Sequence, residues 1–262
     1  MQRPSRQLRR RALAVALLFT VLIGTMLFSL SRGGGSIPVA EALCTLFGGE
    51  SRRAAVALFV IRLPRILMSV LAGATLSLAG ALIQSVLHYP LASPGTLGMV
   101  NGSALGVVLF YAIFTAGTSQ LLVSVAWVPV AAFAGGAGTT LLLMSLVRRF
   151  ALGRRDTVVL GVSLAFGAMA LTTLFMIVGP FYRASDANLW LTGATHTANW
   201  RELTVLAPIS AAVVLTAAGL GKTVDALRLD PRSASSLGIP RGTTTGVLLF
   251  AGLASSAAVA FV

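Results

Sequence analysis

"YPLASPGTLGMVNGSALGVVLFYAIFTAGTSQLLVSVAWVPVAAFAGGAGTTLLLMSLV", residues 89–147, contains no Lys, Arg, Asp, Glu or His. It is long enough for two membrane crossings at roughly 20 residues each. About 25% of the residues in a soluble domain are charged, whereas this 262-residue chain has 10% charged and 56% hydrophobic residues. Working outward from the uncharged stretch, apolar segments fall at roughly 12–31, 64–87, 95–116, 121–147, 157–179, 203–221 and 243–262. Segments of that length and composition satisfy their backbone groups in lipid as helices. The predicted fold class is all-α, a polytopic helical membrane protein of about seven spans, with residues 1–262 as a single transmembrane domain.

The net charge of +13 does not point to nucleic acid, because the basic residues lie between apolar runs. A nucleic-acid binder clusters them on one face of a folded domain. They read as topology signals, since cytoplasmic loops hold excess Lys and Arg. With the N-terminus inside, segments 1–11, 88–94, 148–156 and 222–242 are cytoplasmic and carry five, zero, four and four basic residues. The outer loop 180–202 has only Arg183 and Arg201. Arg32, Arg52, Arg53, Arg62 and Arg65 break the pattern on the outer side, and the reverse topology would place thirteen basic residues outside. The N-terminal "MQRPSRQLRRRALAVALLFTVLIG" (1–24) has the basic-then-apolar layout of a signal peptide. Its long apolar run and the absence of a small-x-small cleavage site make an uncleaved first span the expectation.

Gly98, Gly102 and Gly106 recur at intervals of four, as do Gly73, Ser77 and Ala81. Such stripes let helix backbones approach closely in lipid, so Gly73, Ser77, Gly98, Gly102 and Gly106 are expected to pack helices. Cys44 is the only cysteine, which excludes an intrachain disulfide. His88 and His196 are isolated, so no metal site is expected. "TAAGLGKTV" (216–224) has Thr216 where a phosphate-binding loop needs glycine, and "GVSLA" (161–165) lacks the second glycine of a nucleophile elbow. Lys222 reads as a membrane-boundary cation. The interiors of the seven segments hold no ionisable residue, which disfavours ion-coupled transport. A channel lined by backbone carbonyls would need none and stays open as an alternative.

Further strings carry a family resemblance: "RLPR" (62–65), "GATLSLAGALIQSVL" (73–87), "PLASPGTLG" (90–98), "NGSALG" (101–106), "LGVSLAF" (160–166), "LWLTG" (189–193) and "RSASSLGIP" (232–240). In order, from about residue 12 to the last residue, they resemble the FecCD-type permeases of ABC importers for ferric siderophores, haem and cobalamin. Tyr89 stands where that family usually has asparagine, and Ser93 where an acid is common. Family members continue past "AVAFV" (258–262) into three further spans, ten in all, so the resemblance implies a permease domain that is C-terminally incomplete.

The resemblance implies a permease subunit that carries a ferric siderophore or related chelate. It would pair with a second permease subunit, receive substrate from a periplasmic or lipoprotein binding protein, and dock two ATPase subunits that hydrolyse ATP. The chain itself would then be no enzyme and would use no cofactor. Its location would be the bacterial inner (plasma) membrane, with a cytoplasmic N-terminus. Arg62 and Arg65, three apart and so on one helical face, would dock the binding protein, with Pro64 tolerated at the first helical turn. Charge-complementary docking competes there with simple snorkelling to headgroups. "RLDPRSASSLGIP" (228–240) reads as a short capped helix, with Asp230 as N-cap, Pro231 at the first position and Gly238 at the end. In the family this segment couples to the ATPase, so Leu229, Asp230, Arg232, Ala234, Leu237 and Gly238 are the coupling candidates. Gly153, Arg154, Arg155, Asp156 and Thr157 match the turn at the cytoplasmic mouth of the family's pathway, a candidate gate. The competing readings are a non-transporting membrane fragment that only assembles with partners, and the channel.

Loop charge and span parity generate a test. In a Cys44→Ser background, a membrane-impermeant thiol reagent applied to intact cells should label Glu50→Cys and spare Arg154→Cys. The opposite pattern would invert the topology.

Overall fold

A computed structural model describes residues 4–31, 56–115, 123–178, 188–193, 198–227 and 242–261. Seven apolar helices run along the chain: α1 (Pro4–Ser31), α2 (Leu63–Leu87), α3 (Met99–Phe114), α4 (Val128–Arg149), α5 (Arg154–Val178), α6 (Trp200–Leu227) and α7 (Thr243–Ala260). Six spans are long and apolar enough to cross a membrane, and α3 is a shorter apolar helix. The chain is thus an all-α polytopic membrane protein. It divides into two compact units, Met1–Leu67 and Met68–Val262.

In the first unit, α1 is uniformly apolar from Ala12 onward and exposes Leu17, Leu18 and Phe19 as a lipid-facing helix does. The chain is already helical before Pro64, whereas the sequence suggested that the helix begins at Pro64. A π-helical stretch, Ala57–Arg62, runs directly into α2, and the Leu63 N–H donates to the Leu58 carbonyl. The reason is local. Proline has no N–H to donate, and its ring collides with the carbonyl four residues earlier. Widening the preceding turn to an i to i+5 pattern accommodates that carbonyl without breaking the helix.

In the second unit the core collects at two ends. One end gathers Leu82, Ile83 and Val86 of α2, Met99 of α3, Leu143 and Met144 of α4, Val224 and Leu227 of α6, and Val247 and Leu248 of α7. Elsewhere Val107, Val108, Phe110 and Tyr111 of α3 meet Val128 and Ala132 of α4 and Ala260 of α7. A third group joins Met68 and Ala72 of α2 to Leu206 of α6 and Ala258 of α7. Each helix contributes its first turns to one end and its last turns to the other, so consecutive helices alternate in direction. The connections 88–98 and 150–153 therefore lie at the same end of this unit. α3 packs against α4, α5 and α7, and α7 also packs on α4 and α6.

α3 and α4 approach backbone to backbone. A Cβ on Gly106 would collide with the Ala131 carbonyl oxygen and lie 3.0 Å from Gly135 Cα. On Gly102 it would lie 2.8 Å from the Gly135 carbonyl oxygen, and on Gly135 it would lie 2.8 Å from Gly106 Cα. Gly136 faces Ser103 and Ser256, while Gly252 of α7 receives the Thr140 side chain. Buried hydroxyls here return to their own helices: Thr140 Oγ1 donates to the Gly136 carbonyl at 2.8 Å and Ser256 Oγ to the Gly252 carbonyl at 2.8 Å. That arrangement leaves no hydroxyl proton unsatisfied in a dry interior.

Two helix ends use a left-handed residue that is not glycine: His88 after α2 (φ 54°) and Ala151 after α4 (φ 47°). At the second, the Leu152 N–H closes onto the Val147 carbonyl at 3.0 Å, the six-to-one bond that terminates helices.

The glycine contacts predict a contrast. Gly106→Val should destabilise the protein by about 1–3 kcal/mol or more, since overpacking against backbone finds no rotamer to yield. Gly138→Ala on α4, where a Cβ meets nothing within 4 Å, should be neutral or raise stability by up to about 1 kcal/mol. Thermal unfolding in detergent, followed by tryptophan fluorescence, measures both. By the same assay Ala151→Gly should stabilise by about 1 kcal/mol through relief of the left-handed alanine.

Candidate functional site

The densest local chemistry lies where α2 hands over to α3. "SPGT" (93–96) forms a reciprocal cap: the Thr96 N–H donates to Ser93 Oγ at 3.1 Å, and the Ser93 N–H donates to Thr96 Oγ1 at 2.8 Å. Proline follows the capping serine where its missing N–H costs nothing. The resulting turn closes through Leu97 N–H to Ser93 O and Met99 N–H to Pro94 O, at 3.1 and 3.0 Å. Gly98 then takes a left-handed conformation, φ 85°, at the start of α3. Two constraints meet there, because a Cβ on Gly98 would also stand 3.0 Å from the Ala165 backbone nitrogen of α5. Leu97 lies over Gly161, and Asn101 Nδ2 donates to the Ala165 carbonyl at 3.3 Å. The turn is thereby clamped onto the middle of α5.

At the same end, α4 finishes with Arg148 and Arg149 in its last turn. α5 begins with Arg154, Arg155 and Asp156. The Gly153 N–H donates to Asp156 Oδ2 at 3.3 Å, and Thr157 Oγ1 donates to the Gly153 carbonyl at 2.8 Å. The candidate gate residues thus form the N-terminal cap of α5, with Arg155 and Asp156 exposed and Thr157 buried.

Arg62 is 7% exposed and donates from Nη1 to the Leu30 carbonyl, in the last turn of α1. That carbonyl is one of the four that a helix end leaves without an intrahelical donor. Arg65 is half-buried. The coupling candidates Leu229, Asp230, Arg232, Ala234, Leu237 and Gly238 lie outside the described residues.

Of the stripe residues, Gly98, Gly102 and Gly106 meet α5 and α4 as described. Gly73 and Ser77 are exposed, and a Cβ on Gly73 would touch nothing in the chain within 4 Å. The partner stripe on α4 escaped sequence reasoning, although Ala131, Gly135 and Thr139 repeat at the same interval of four as Gly98, Gly102 and Gly106. Thr75 of α2 and Ser210 of α6, both buried with their hydroxyls 3.1 Å apart, had no sequence signal at all. Among the described residues no group of three or more His, Cys, Asp or Glu could hold a metal ion.

The FecCD transport family matches residues 20–262. The "Probable siderophore transport system permease protein YfhA" of Bacillus subtilis (strain 168) is 35% identical over 193 residues, covering 72% of this chain and 56% of its own length. The iron(3+)-hydroxamate import system permease protein FhuG of the same organism is 28% identical, covering 94% of this chain and 73% of its own length. The ferric enterobactin transport system permease protein FepG of Escherichia coli (strain K12) is 27% identical over 88% of this chain and 68% of its own length. The chain spans 56% of the length of YfhA. In fold it is similar to a metal-chelate type ABC transporter solved in an inward-facing conformation, with a TM-score of 0.78 at 24% identity over 93% of this chain and 74% of that one. The capped turn before α3, the glycine-packed α3 and the alternating helices all fall inside the matched residues, and on that match the chain belongs to the FecCD transport family.

Proposed function

We propose that this chain is a transmembrane permease subunit of an ABC importer for a ferric siderophore or related iron chelate. It contributes the translocation pathway, pairs with a second permease subunit and takes substrate from a periplasmic or lipoprotein binding protein. It is driven by two separate ATPase subunits. It sits in the bacterial inner (plasma) membrane with its N-terminus in the cytoplasm. The observation that carries this reading is the family match over residues 20–262, on relatives whose names are those of siderophore and iron permeases. The six candidate spans and the absence of any acid, lysine or arginine from 89–147 are in keeping with a passive conduit moved by subunits outside the membrane.

Within this reading, the end of the bundle that holds 88–98 and 150–157 is the cytoplasmic end. Gly153, Arg154, Arg155, Asp156 and Thr157 line its gate. Leu229, Asp230, Arg232, Ala234, Leu237 and Gly238 couple to the ATPase. Arg62 and Arg65 dock the binding protein on the opposite side, and Arg62 also caps α1 through Leu30.

Reconstitution of the chain with its binding protein and ATPase into liposomes tests the function. ATP-dependent accumulation of a radio-iron siderophore is the expected result. Assembly without uptake would favour the non-transporting fragment, and flux in both directions without ATP would favour the channel. The double reversal Arg62→Glu/Arg65→Glu should weaken binding-protein affinity at least about tenfold at low salt, since it adds repulsion to lost attraction at a charged interface. That loss should shrink at high salt, where screening acts over about 3 Å. Arg62→Gln alone should lower stability by about 1–3 kcal/mol, because the Leu30 carbonyl loses its charged donor.

A further inference from the structure

We propose that the turn joining α4 to α5 is a headgroup site for an anionic phospholipid of the phosphatidylglycerol or cardiolipin class. The inference rests on the chain's being a membrane protein and is independent of what it transports. Within residues 148–159 stand four arginines and one acid, Asp156. That acid is turned to its own helix, accepting from the Gly153 N–H at 3.3 Å, and neutralises none of the spread of guanidinium charge beyond its first turn.

Position in the bilayer follows from length. α4 has 22 residues and α5 has 25. At about 1.5 Å per residue each reaches or exceeds the roughly 30 Å hydrocarbon thickness, so the turn between them stands at headgroup depth. Phosphodiesters are the abundant anions at that depth. The flanking side chains suit a lipid rather than an aqueous anion: Phe150 is 62% and Val159 66% exposed, apolar surface that an acyl chain would cover. Arg148, Arg149 and Arg155 are exposed and Arg154 is half-buried, so all four can reach an interfacial phosphate.

Helix electrostatics sharpen the case. Arg148 and Arg149 suit the negative C-terminal end of α4. Arg154 and Arg155 sit at the positive N-terminal end of α5, where cations are unfavourable. Helix stability therefore does not account for this second pair. An anion seated on the turn does, since it would meet the guanidinium forks and the first-turn amides of α5 together.

The test uses the purified full chain in a neutral detergent doped with equal amounts of cardiolipin and phosphatidylcholine, with bound lipid read by native mass spectrometry. The wild type should retain cardiolipin over phosphatidylcholine by at least about tenfold, in line with the attraction of basic juxtamembrane residues to anionic lipid. R148Q/R149Q and R154Q/R155Q each keep one arginine pair for insertion, and each should lose at least about threefold of that selectivity. Raising the salt to about 1 M, where the screening length is near 3 Å, should remove most of it. Equal retention by the wild type and both variants would overturn the proposal. Displacement of the lipid by millimolar inorganic phosphate would also overturn it, assigning the site to a free anion. So would displacement by an acidic peptide at equal concentration, which would mark the turn as a protein contact.

Discussion

The close approach of α3 to α4 is the constraint on which the larger unit is built. In lipid there is no hydrophobic exclusion to press two helices together, so dispersion between facing atoms and the loss of intervening lipid must hold them. Each atom pair contributes only about 0.1–0.2 kcal/mol, and the gain falls steeply with separation. Glycine at 102, 106 and 135 removes the side chains that would otherwise hold the two backbones apart. Because α3 also touches α5 and α7, this approach sets where those helices can stand. Gly136 and Gly252 extend the same device to α7, where the hydroxyl and methyl groups of Thr140, Ser103 and Ser256 fill the space that the glycines leave.

Rigidity at the core is joined to a tightly specified turn. The Ser93–Thr96 cap, the left-handed Gly98 and the Asn101 bond to the Ala165 carbonyl hold the start of α3 against the middle of α5. α5 in turn begins at the capped, arginine-rich connection from α4. A displacement of α5 would therefore be felt both at the 93–98 turn and at the arginines of 148–155, through side chains already in contact. In a permease that responds to a partner on one face of the membrane, such linked elements are the natural carriers of movement.

Much of the architecture was legible in the amino-acid order. The uncharged run from 89 to 147, the spacing of the apolar segments and their alternation with basic loops give helix number and alternating direction, because lipid leaves the backbone few other solutions. The Gly98, Gly102, Gly106 interval announced a packing face, and the quoted strings from 62 to 240 announced the family. The third segment nevertheless reads longer in sequence than the 16-residue α3, since hydropathy does not distinguish a capped apolar turn from a helix. The end of α5 is similar: apolar composition blurs where a helix starts, and the Asp156 cap at Gly153 settles it.

Sequence by itself determined that this chain is a bundle of apolar helices in a membrane, and which residues are small enough to let helices meet. Only the tertiary structure decided which glycine meets which partner. Gly73 and Gly102 look alike in a helical stripe, yet one faces open space and the other a neighbouring backbone. It likewise revealed that Pro64 sits within a helix already begun, by way of a π turn, and that Arg62 closes the end of α1 at Leu30. It also joined Thr75 to Ser210 across 135 positions of chain. The physical reason is the same in each case. Composition fixes the solvent a segment can tolerate, whereas a contact depends on the position of a second segment that local sequence does not encode.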